Sequence, residues 1–193
     1  MQNLVTVGED FFFLSDIKGT RIEPSNYSFD LEWGIPVRYH DYQEYAEKIN
    51  PDIFEFHLSY SDMDLNPDDY IKEISDAGFV VHAPELFANS KLMDLATPDD
   101  DYRDESIFET QRVVDITKSL KKFFPKTATP LIVANIGGFS MDKNIPKEEL
   151  DSYYERFQDS LNKINFDGVE LIPQNMAPFP WHFGGQRYQN MFL

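Results

Sequence analysis

The sequence contains no cysteine, which excludes a disulfide framework and any thiolate metal site. Basic residues are scarce: 17 Lys and Arg stand against 34 Asp and Glu, for a formal net charge of −17. Nucleic acid and anionic membrane surfaces both call for a basic face, so neither is expected as a partner. The acidic excess reads as a solvated surface. No apolar run approaches the roughly 20 residues of a membrane span. No basic, apolar, small-residue leader opens the chain, so the cytoplasm is the expected compartment. Aromatic side chains are plentiful instead, with 17 Phe and 10 Tyr, too many for a disordered chain. A length of 193 residues suits one domain with a sizeable core. It is short for a complete eight-fold barrel, which takes about 250 residues.

Four hydrophobic runs each end in polar residues: FEFHLS at 54–59, VVHAPE at 80–85, LIVANIGG at 131–138 and VELIPQN at 169–175. A helix-like segment follows each of the first three, and a further strand-like run, WGIPVRY, occupies 33–39. Repeated strand, polar tip and helix units imply an α/β fold with a parallel sheet and all tips at one end. The expected architecture is a partial (β/α) TIM-type barrel of about five βα units over residues 31–193. Residues 1–30, with two short strand-like runs and a loop signal at Pro24-Ser25-Asn26, read as a short β-rich N-terminal arm.

Several element boundaries are legible. Asp41 and Glu44 have capping-box spacing for the first helix, whose apolar face would be Tyr42, Tyr45 and Ile49. The second helix is expected over 66–78, with Asn66 as cap, Pro67 at the first helical position, Asp68 and Asp69 in the first turn, and Gly78 as stop. The connection 86–104, carrying Asp99-Asp100-Asp101, reads as a solvated loop or a lid. A third helix is expected over 105–124 with Val113, Ile116, Leu120 and Phe123 on one face. A fourth opens at Pro146 with Leu150, Tyr153, Phe157, Leu161 and Ile164. The tail, 176–193, reads as neither periodic helix nor strand.

Alternation on the second strand places Glu55, His57 and Ser59 on one face and Phe54, Phe56 and Leu58 on the other. A barrel turns its bulky face toward the helices, so the polar set should point inward, suited to proton transfer, metal binding or a hydrogen-bonded filler network. His82 with Glu85 at the next tip suits a divalent metal or an acid/base pair, although an isolated His is also a common satisfied core residue. His57, His82 and Glu85 are thus the catalytic candidates. Asn135 precedes Gly137-Gly138, which would allow close backbone approach to a phosphate or sugar hydroxyl, or form a tight turn. Gln174 and Asn175 can hydrogen-bond a polyol but cannot act as general bases. His182 and Arg187 suit an anionic ligand or loop packing, and Arg38 at the first tip joins the substrate-binding set.

The stretch VHAPELFAN at 81–89, with the acidic linker leading to RDESI at 103–107 and the helix after it, resembles the xylose isomerase-like TIM barrels. That superfamily includes sugar phosphate isomerases and epimerases. WGIPVRYHDY at 33–42 and PFPWHFGGQRY at 178–188 look like the barrel module attached to sialic acid (N-acetylneuraminate) synthase-like proteins. GEDFF at 8–12 with Ser15-Asp16-Ile17 resembles the end of their SAF domain. The resemblance implies a sugar or sugar-acid ligand in a module of sialic (nonulosonic) acid biosynthesis. The family's metal site uses a His where His82 stands, a His near Asn135 and a Glu near Gln174. Neutral amides replace two of these, and the later ligands would fall beyond Leu193, so no cofactor is expected beyond a weakly held divalent metal. Three readings follow: a binding module with a degenerate metal site, an active isomerase or epimerase working by proton transfer, or a non-catalytic scaffold. An open barrel would also leave edge strands unpaired and Val37 and Ile172 without an opposite wall. A homo-oligomer, or completion by the remainder of a longer chain, is therefore expected.

Overall fold

Alternation along the strands divides the molecule's sheet into two chemically distinct faces. The computed structural model describes residues 31–175 and 187–191. The expectation of an arm at 1–30 lies outside them. In chain order the elements are β1 (Gly34–Val37), α1 (Tyr39–Lys48), β2 (Ile53–His57), β3 (Gly78–His82), α2 (Asp100–Leu120), β4 (Leu131–Asn135), β5 (Phe139–Met141), α3 (Leu150–Asn162), β6 (Glu170–Gln174) and β7 (Arg187–Gln189). β1, β2, β3, β4 and β6 form a parallel sheet in that order, as the repeated units required, while β5 and β7 make a small antiparallel pair.

One face of the sheet presents Phe54, Phe56, Phe79, Val81, Ile132 and Ala134, all at most 2% exposed. They share a single core with Tyr39 and Tyr42 of α1, Val113, Val114 and Leu120 of α2, and Tyr153 and Phe157 of α3. Phe124, just past α2, is the hinge of this core. Its ring lies 4.9 Å from Phe79 and 5.6 Å from Phe56, with Tyr42 edge-on at 5.9 Å. Val37 belongs to this helix-covered face, because its register partner is Phe56. The expectation that it faces the barrel interior is therefore corrected. The opposite face carries Glu55, His57, Val80, Leu131, Val133, Ile172 and Gln174, all half-buried. Ile172 does stand there, as expected.

The helix boundaries shift for local reasons. α1 starts three residues earlier than the capping-box spacing suggested, so Asp41 is the third helical residue rather than the cap. Its carboxylate accepts the Arg38 backbone N–H at 2.6 Å. Tyr45 points to solvent, leaving Tyr39, Tyr42 and Ala46 as the packed side. The helix expected at 66–78 is a single 3₁₀ turn, Pro67–Asp69, whose cap Asn66 does accept the Asp68 N–H. Beyond it Ile71 is buried, Tyr70 stacks on Tyr39 at 5.8 Å, and the Ser75 N–H donates to the Phe123 carbonyl at 2.8 Å. Tertiary contacts have taken the groups a helix would use. α2 begins at Asp100, with Asp99 as its cap, so the acidic run is a helix start rather than a solvated loop.

The lid expectation for 86–104 is also corrected. Leu92, Met93, Asp94, Leu95, Ala96 and Thr97 are all buried, and the Leu95 N–H bonds the Ile136 carbonyl. The middle of the connection, 92–97, runs through the interior, while residues on either side of it are exposed. In the tail, Arg187–Gln189 is a strand, contrary to expectation, and it pairs with β5 beyond the end of β4.

Candidate functional site

Register determines which tips meet. His57 pairs with His82 across β2 and β3, His82 with Val133 across β3 and β4, and Asn135 with Gln174 across β4 and β6. Residues two apart on a strand share a face, so His57, His82, Asn135 and Gln174 all stand on the half-buried side, at the carboxyl end of the sheet. Open parallel α/β sheets bind ligands in this place.

The two imidazoles stack, with centroids 4.2 Å apart and planes 5° from parallel. The Glu55 carboxylate reaches His57 Nδ1 at 3.0 Å from two residues back on the same strand. That contact sets the His57 tautomer, leaving Nε2 without a hydrogen-bond partner among the described residues. His82 is 7% exposed, with Nδ1 3.1 Å from the Ala83 carbonyl and Nε2 3.0 Å from Gln174 Oε1. Both nitrogens face oxygens. The Nδ1–H ring satisfies both contacts when the Gln174 amide is turned to offer its NH₂ to Nε2.

Arg38 continues β1 in extended conformation, one residue past the Val37–Phe56 pair, and so stands level with His57. Its guanidinium donates to Asp62 at 3.0 Å. Burial works to raise the Asp62 carboxyl, but the Ser59 hydroxyl and N–H and the Arg38 charge outweigh it and hold the group below the usual carboxylate range.

Asn135 is 2% exposed. Its Oδ1 accepts the Gly137 N–H at 3.0 Å, which fixes the amide's orientation and leaves Nδ2 buried with no hydrogen-bond partner among the described residues. The glycines that follow do not serve a ligand. A Cβ on Gly137, where φ is +87°, would come within 2.2 Å of Asp94 Oδ1, and one on Gly138 within 2.7 Å of Met191. The close approach is taken up by the protein's own side chains, which corrects the phosphate or sugar reading of these two residues.

Asp94 is the residue that motif reasoning missed. Its carboxylate, 2% exposed, accepts the N–H groups of Gly138 at 2.7 Å, Ala96 at 3.1 Å and Phe139 at 3.3 Å. Burial raises it to about 6, against the pull of those three donors and of the Arg187 charge. The available signal was a single charge inside the apolar stretch LMDLA at 92–96. The Arg187 charge thus bears on Asp94. Its neighbours in sequence, Gln189 and Asn190, donate to the Gly137 and Gly138 carbonyls, so residues 187–191 lie against the turn at the end of β4.

Glu85 is half-buried past the end of β3, with no contact joining its carboxylate to either histidine among the described residues; Asn175 is exposed at the end of β6. His182 lies outside the described residues. Asn135 Oδ1 and Gln174 Oε1 are engaged, and among the described residues no three His, Asp or Glu side chains are grouped to hold an ion. No family model, curated protein or solved structure matches the chain.

Proposed function

We propose that this chain is the partial-barrel, sugar- or sugar-acid-binding module of a nonulosonic acid biosynthesis protein, with a degenerate metal site. The observation that carries the reading is the row of His57, His82, Gln174 and Asn135 at the carboxyl end of a sequentially ordered parallel sheet, one member of which keeps a buried donor with no partner among the described residues. The resemblance of segments 33–42 and 81–89 to sialic acid synthase-associated barrels supports the ligand class. Titration of ¹⁵N-labelled protein with sugars tests it. Saturable shifts at those four residues are expected; shifts scattered over the surface, or none, overturn the reading.

The Glu55–His57 pair favours a second reading, an active isomerase or epimerase. A carboxylate on Nδ1 leaves Nε2 as a base that can take the proton from a carbon beside a carbonyl and return it to the carbonyl carbon, while the hydroxyl proton passes in the same sense, from the oxygen of the first carbon to that of the second. In D₂O such an enzyme exchanges its substrate's C–H. His57→Ala should slow that exchange by about 10²–10⁴-fold. A mixture of aldoses and ketoses that stays unlabelled with the wild type leaves only the binding reading.

A further inference from the structure

We infer that the ligand of this site presents an uncharged carbonyl-type oxygen to Asn135, and that Asn135 selects for it over both a hydroxyl-only sugar and a carboxylate. The inference rests on the site reading above and adds the chemistry of the group recognised. Asn135 Nδ2 is a donor whose direction is not in doubt, because Oδ1 is held by the Gly137 N–H. Asn135 stands on the same face as its register partner Gln174, whose side chain touches His82, so the unpaired donor belongs to the same end of the sheet as the histidine row. A buried donor left unpaired is costly, and an sp² oxygen is the acceptor that satisfies an amide N–H with the best geometry.

The charge balance decides between a neutral and an anionic acceptor. Arg38, the cation level with this row, already meets a carboxylate, Asp62, and the ring N of His57 that could bind an anion most directly, Nδ1, is taken by Glu55. Arg187, the nearby cation of the tail, acts on Asp94. A ligand carboxylate placed against Asn135 would be desolvated without a counter-charge, in a chain of net charge −17. An amide, ketone or aldehyde oxygen avoids that penalty.

Three ligands that differ at a single carbon test the inference: D-glucuronamide, D-glucuronate and D-glucose, titrated by NMR into wild type and Asn135→Asp. The substitution keeps an oxygen for the Gly137 N–H and replaces the unpaired donor with an acceptor. In the wild type, D-glucuronamide should bind about tenfold or more tightly than D-glucose, with D-glucuronate no better than D-glucose. In Asn135→Asp the amide's advantage should vanish. Equal binding of amide and alcohol, tightest binding of the carboxylate, or an advantage that survives in Asn135→Asp would each overturn the inference and leave the site standing. Failure of all three ligands to shift His57, His82, Gln174 and Asn135 would overturn the site reading, and this inference with it. The wild-type comparison is decisive even where the variant is destabilised.

Discussion

Asp94 carries a pH dependence of unusual sign. Most carboxylates that gain partners on folding have depressed pKa values and stabilise the protein above them, as Asp62 does here. Asp94 is raised to about 6 by burial, so the folded state holds its proton more tightly than the unfolded chain does between about pH 4 and 6. Its contribution is therefore greatest below the unfolded value and is lost as pH rises through 6. Two pH units correspond to about 3 kcal/mol. Asp94→Asn removes the titration, and its Nδ2 would meet a backbone N–H where the carboxylate accepts. The stability gap between wild type and variant should accordingly widen by about 2–3 kcal/mol on going from pH 7.5 to 4.5, measured by urea unfolding. A gap that stays constant or narrows would show that Asp94 is not the buried proton site.

At the scale of elements, strands were legible in the sequence and loops were not. Strand faces follow from a period of two and from burial, so the Phe54–Phe56–Leu58 and Glu55–His57 sides emerged as expected. The helix at 66–78 did not form because its start signals act over one turn only, whereas its continuation depends on packing that Tyr70, Ile71 and Ser75 direct elsewhere. The histidine row was legible in part. Spacing found His57, His82, Asn135 and Gln174, but register alone joined them. The Asp94 contact to the turn after β4 spans 44 residues of sequence and leaves no local trace. That turn gives a paired test. Gly137 and Gly168 both have positive φ, yet a Cβ on Gly137 meets Asp94 whereas one on Gly168 meets nothing within 4 Å. Gly168→Ala should cost about 1 kcal/mol of backbone strain, and Gly137→Ala about 1–3 kcal/mol more. Equal losses in thermal melts would mean that the turn moves freely away from Asp94.

At the scale of the whole molecule, the question is how the sheet ends. In β1 the Ile53 N–H bonds the Trp33 carbonyl, which directs residues 33, 35 and 37 toward β2 and leaves Gly34 and Pro36 facing outward. In β6 the Glu170 N–H bonds the Pro130 carbonyl, so residues 170, 172 and 174 face β4 while Leu171 and Pro173 face away. Among the described residues β1 and β6 are the outer strands, and each carries a proline on its outward side, where the missing N–H removes a donor that an added strand would need. Edges of this kind oppose strand addition. Any second copy, or any further stretch of chain, is then better received on the half-buried face with Val80, Val133 and Ile172 than along either edge. Restoring the donors should reverse this: Pro36→Thr with Pro173→Val returns two N–H groups, each worth about 1 kcal/mol in a formed ladder, on strands that also gain β-branched residues. Light scattering over a wide concentration range should show the double variant associating at lower concentration than the wild type. Identical masses at every concentration would mean that the two prolines do not guard the edges.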